Sequence, residues 1–113
     1  MNLMQIADIL DAELAFAPKG WEQTPIHSVF ASDLMSDVLM SDRDEMLLVT
    51  SLSTEQSIRS ADMVGARAVV VANNKTVTEG MVELAREQGI ALLRTHLPKY
   101  ESCIRIGGIM EAG

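Results

Sequence analysis

Residues 46–72 read MLLVTSLSTEQSIRSADMVGARAVVVA, and the order of patterns in them decides the fold. MLLVTSL (46–52) is an apolar run of strand length. STEQSIRSADMVG (53–65) carries the polar opening and apolar stripe of a helix, and ARAVVVA (66–72) is a second apolar run. Runs with no polar alternation belong to strands covered on both faces, as in parallel sheets. Ser53 with Gln56 three residues on satisfies the capping-box pattern, in which a hydroxyl accepts from a free first-turn N–H, and Gly65 suits the helix C-terminal cap. The unit reads strand, helix, strand.

Outward from it the pattern repeats. Thr76 with Glu79 makes a second capping box, Val77, Met81, Leu84 and Ala85 form a buried stripe, and Gly89 closes that helix. IALLRT (90–95) is the next strand, and Pro98 at a first helical position opens a last helix through Tyr100, Cys103 and Ile104. Upstream, Leu3, Ile6, Ala7 and Leu10 recur at the helical period. Glu13–Ala17 reads as a short extended segment stopped by APKG, and Ile26–Ala31 as a further strand. Ser32 is placed to cap a helix striped by Leu34, Met35, Val38 and Leu39, which DRDE (42–45) ends. Short connections between such units force parallel neighbours. The expected fold is α/β, a parallel or mostly parallel sheet flanked by helices.

Composition excludes several functions. The 113 residues make one domain, large enough for a core without metal or disulfide. The single Cys103 forms no internal disulfide, and no targeting leader is evident, which favours a cytoplasmic setting. No apolar run approaches the ~18 residues of a membrane span, so no membrane partner is expected. A formal charge of −7 repels phosphodiester backbones and argues against nucleic acid. Neither the phosphate loop nor the glycine-rich dinucleotide turn is present. His27 and His96 lack further ligands at metal spacing, and Cys103 has no nearby histidine in sequence. No catalytic residue, metal or cofactor is expected.

Ligands of parallel α/β sheets bind outside the carboxyl ends of the strands. Those ends here are Thr50-Ser51-Leu52-Ser53, Asn73-Asn74 and Thr95-His96. TSLST (50–54) serves either as a capped turn or as the seat of a small anion held by hydroxyls and helix amides. The candidate ligand-binding set is Thr50, Ser51, Ser53, Thr54, Arg59, Asn73 and Thr95. In FASDLMSDVLM (30–40), Ser32 and Asp33 are read as fixing the helix start. Capping does not explain Ser36 and Asp37, which are candidates for an interface or an ion pair with Arg59; Arg59 has Asp62 as its other acidic neighbour.

Taken together, ASDLMSDVL, LLVTSLSTEQSIRSADMVGARAVVVANNK and LAREQGIALLRTHLPKYESC resemble the DRTGG domain, related in fold to the N-terminal domain of HPr kinase/phosphorylase. The resemblance covers about residues 26–108, with 1–25 as a lead-in to a single domain spanning 1–113. The literal motif is missing, since the only Asp-Arg pair, Asp42-Arg43, is followed by Asp44. What the resemblance implies is a non-catalytic standalone module of regulation or assembly. Such domains accompany phosphotransacetylases and nucleotide-sensing pyrophosphatases, so a homodimer and a metabolic-enzyme partner are expected. Met4, Met35, Met40 and Met63 are available to fill an adaptable interface. The second reading is a sensor of a nucleotide or other phosphorylated metabolite at the strand ends.

Overall fold

The computed structural model describes the backbone of residues 1–112, with side chains described through Met110. The elements are α1 (Leu3–Ile9), β1 (Glu13–Phe16), a single 3₁₀ turn (Trp21–Gln23), β2 (Ser28–Ala31), α2 (Met35–Leu39), β3 (Met46–Thr50), α3 (Glu55–Met63), β4 (Ala68–Val71), α4 (Glu79–Gln88), β5 (Ala91–Arg94) and α5 (Lys99–Ala112). The five strands form one sheet in the order β1-β5-β4-β3-β2. β2 through β5 run parallel, and β1 joins antiparallel to β5 at one edge. The mostly parallel α/β architecture expected from the apolar runs is present.

Alternation along the strands sorts the core into two layers. Leu47, Val49, Ala68, Val70, Ala91 and Leu93 point to one face and meet Leu3, Ile6 and Leu10 of the α1 segment and Ile106 of α5. Met46, Leu48, Val69, Val71 and Leu92 point to the other, where Val38 of α2, Ile58 and Ala61 of α3, and Met81 and Ala85 of α4 cover them. Every residue of β3 and β4 is buried. That explains why both strands show continuous apolar runs.

The helix starts differ from the capping expectations. α2 begins at Met35, two residues later than a Ser32 cap requires; Ser32 Oγ instead accepts from the Leu34 N–H at 3.0 Å in a local turn. α3 has Thr54 at its cap position with no side-chain bond, and the Ser53 hydroxyl, expected to cap it, donates across to the Thr76 carbonyl. Thr76 is therefore part of the loop, and Thr78 is the cap of α4, accepting from the Met81 N–H at 3.2 Å. The caps lie two, one and two residues later than expected, at Leu34, Thr54 and Thr78, because each strand exit is longer than the patterns suggest. Asn2 and Gln5 make a reciprocal capping box on α1 that the sequence reading overlooked. Gly65 and Gly89 do close α3 and α4, with φ of +72° and +71°. Met35, expected at an interface, is buried in the core beneath α2, whereas Met40 and Met63 are 84% and 74% exposed.

Candidate functional site

At the carboxyl edge of the sheet the organising residue is Asp33, in the link between β2 and α2. Its Oδ1 accepts from the Ser51 N–H at 2.7 Å and the Thr50 hydroxyl at 3.0 Å. Its Oδ2 accepts from the Ser51 hydroxyl at 2.6 Å and from Lys99 Nζ at 2.9 Å. One carboxylate thus joins the exits of β2 and β3 to the first residue of α5. Burial by itself pushes the Asp33 carboxyl up, but the hydroxyl and N–H of Ser51, the Lys99 ammonium and the Thr50 hydroxyl outweigh it and hold the group well below the usual carboxylate range. A carboxylate held down in this way is ionised near neutrality and unsuited to giving or taking protons there.

The two threonines at strand ends play matching parts. Thr50 is wholly buried; its Oγ1 donates to Asp33 and accepts from the Leu52 N–H at 3.1 Å. Thr95, also buried, donates to the Leu10 carbonyl at 2.7 Å and accepts from the Leu97 N–H at 3.2 Å. Each hydroxyl closes a two-residue turn and ties it to a distant segment. Between them lie Asn73 and Asn74, both left-handed at φ +63° and +57° and both exposed. Their N–H groups donate to Leu97 and Thr95 carbonyls at 2.8 and 3.0 Å. Arg94 completes the edge, donating to Asn74 Oδ1 at 2.7 Å, to the Lys75 carbonyl at 2.8 Å and to Glu13 at 3.2 Å.

The structure brings Thr50 and Ser51 together around Asp33 and Lys99, and links Asn73 and Thr95 through the neighbouring loops. Ser53 reaches the α4 loop. Arg59 stands apart: 62% exposed on α3, it pairs with Glu55 at 3.3 Å, and not with Asp62 or the acids of α2. Ser36 and Asp37 are exposed, and Asp37 borders a hollow shared with Phe30, Met40 and Arg43. Asp33 and Lys99 are the site residues that sequence reasoning missed as partners. Their separation of 66 positions leaves no local signal. Burial pushes the Cys103 thiol up, with Lys99 acting in the opposite direction, so the thiol is not an activated nucleophile. Among the described residues, no three His, Cys, Asp or Glu side chains gather as a metal site.

A five-stranded, mostly parallel sheet covered by helices on both faces is an α/β fold already seen in a solved structure. It matches the CBS and DRTGG domains of the regulatory region of Clostridium perfringens pyrophosphatase, whose crystal structure is a complex with the activator diadenosine tetraphosphate. The TM-score is 0.76 over 93% of this chain and 45% of that one, at 17% identity. The sequence is also similar to HPr kinase/phosphorylase of Streptococcus equinus, 26% identical over 94 residues, which are 80% of this chain. The chain spans 30% of that enzyme's length. No family model matches the sequence. Both similarities agree with the resemblance carried by the residues.

Proposed function

We propose that this chain is a non-catalytic regulatory or assembly module that works as a homodimer and serves a metabolic enzyme. The observation that carries the reading is the contrast between its two kinds of surface. At the strand ends, where an α/β enzyme would keep free reactive groups, Thr50, Ser51, Ser53 and Thr95 are already bonded within the chain. At the far ends of α2 and α3, by contrast, Leu39, Met40 and Met63 stand 42%, 84% and 74% exposed. Thioethers of this kind suit adaptable protein contacts. Size-exclusion chromatography with light scattering at tens of micromolar is expected to return twice the chain mass. A strictly monomeric species ends the homodimer reading.

A second reading is supported by the start of α3. Thr54 offers no side-chain cap and the Ser57 N–H goes to the Thr54 carbonyl at 3.2 Å, so the Glu55 and Gln56 N–H groups are the ones a phosphate beside Ser53, Thr54 and Asn73 would meet. Arg59 would swing from Glu55 to join them, while Thr50, Ser51 and Thr95 hold the loops in place. Thermal unfolding against a panel of nucleotides and acyl phosphates checks this sensor role. A ligand at ~100 times its Kd adds about 2.7 kcal/mol, and the gain is expected to shrink in Arg59→Ala. If no compound raises the melting temperature, the sensor reading fails.

A further inference from the structure

On α5 the usual sorting of a surface helix is reversed. A helix laid on a sheet turns its apolar stripe inward and its polar residues to water. Here Ser102 is wholly buried, its hydroxyl donating to the Pro98 carbonyl at 2.9 Å, and it shares the inward side with Ile106. Tyr100 and Ile104 face outward, 78% and 54% exposed. Four residues apart, they lie along one line of the helix, and Gly108, also exposed, is next on it. Among the described residues nothing covers this line.

The shape of the stripe comes from its glycines. Gly107 and Gly108 lie within the helix, and neither has the positive φ of a turn glycine. A Cβ on either would meet no atom of the described residues within 4 Å. Neither conformation nor packing within the chain calls for glycine there, although glycine weakens a helix relative to alanine. Helices approach one another most closely where the residues at the contact are small. The pair leaves a shallow notch one to two turns beyond the exposed Tyr100 and Ile104.

Charge selects the occupant. Glu101 and Arg105, each about half exposed, pair at 3.2 Å along one side of the stripe. A second α5 laid antiparallel about a two-fold axis at Ile104 brings Glu101 of each copy beside Arg105 of the other, and sets Tyr100 of each over the glycines of the other. Bulk meets notch and each charge meets its opposite, the self-complementarity that an isologous interface requires. We infer that the outward face of α5 docks a second copy of this chain, the two helices packing antiparallel with Ile104 on the axis. The inference rests on the homodimer reading above and gives that dimer its interface. α5 covers the sheet face opposite to α2 and α3, so Leu39, Met40 and Met63 are left to the enzyme partner.

The test is cross-linking and sedimentation equilibrium of the full chain. In a Cys103→Ser background, Ile104→Cys puts a thiol on the axis, and mild oxidation is expected to join two chains through it. Met63→Cys in the same background, on the opposite sheet face, is expected to stay unjoined. Gly108→Gln adds bulk where the chain has open space, so the fold is kept while the dimer Kd rises roughly tenfold or more; Tyr100→Ala should act in the same direction. A wild-type chain that is monomeric at tens of micromolar removes the homodimer reading and this inference together. A dimer that does not join through Ile104→Cys, joins as readily through Met63→Cys, or keeps its affinity in Gly108→Gln overturns the placement on α5 alone.

Discussion

Replacing Asp33 by alanine is expected to lower the free energy of unfolding by roughly 2–3 kcal/mol, a large fraction of the stability of a small domain. The variant removes four hydrogen bonds at once and leaves the buried Thr50 hydroxyl without its acceptor. The Lys99 pair accounts for little of this, because both side chains are partly exposed and screened by solvent. Asp33→Asn keeps an acceptor for Thr50 and the Ser51 amide, and should cost about half as much. The pH dependence follows from the direction of the shift. The folded carboxyl titrates below the unfolded value of about 3.9, so its contribution is fully present well above that pH and is lost as pH falls below it towards the folded value. Urea unfolding from about pH 7 down to about pH 3 should show a component of acid destabilisation that is missing in Asp33→Asn. Equal acid sensitivity in both proteins would show that the carboxylate clamp contributes nothing.

A second pair of variants should have still larger effects. Leu47 and Leu48 are neighbours on β3, both wholly buried, with side chains in opposite layers of the core. Leu47→Ala opens a cavity beneath α1 and α5, and Leu48→Ala opens one beneath α2, α3 and α4. Each is expected to cost about 3–4 kcal/mol, lowering Tm by something on the order of 10 °C or more. An amphipathic strand would tolerate one of the two, so a mild effect at either position would contradict a sheet covered on both faces.

Much of this architecture was legible in the residues, for a physical reason. Continuous apolar runs such as MLLVT and AVVV are needed only where both sheet faces are buried, and glycines such as Gly65 and Gly89 occupy positions where the chain turns left-handed. The helix starts were less legible, because several serines and threonines stand near each one and only the tertiary structure decides which hydroxyl is used. Ser53 is the clearest case, since its hydroxyl donates to the Thr76 carbonyl and accepts from no amide of the helix's first turn. Asp33 was misread for a related reason: beside a serine and ahead of an apolar stripe it has the local signature of a helix start, while its partners come from β3 and α5. The antiparallel setting of β1 was also hidden, being a matter of where the first strand joins the sheet.

That setting of β1 has a consequence for how the chain is made. β1 pairs only with β5, Glu13 lying opposite Arg94, and the two side chains meet at 3.2 Å. During synthesis β1 emerges before every other strand of the sheet and is among the last to find its place. Its Leu14, 45% exposed even in the finished fold, must wait uncovered until some eighty further residues have been synthesised. The central strands can assemble in the meantime, since β3, β4 and their helix are contiguous. A nascent chain stalled before β5 would hold a partly formed sheet with two open edges and a stray strand of its own, the ingredients for pairing with a neighbour on the same messenger.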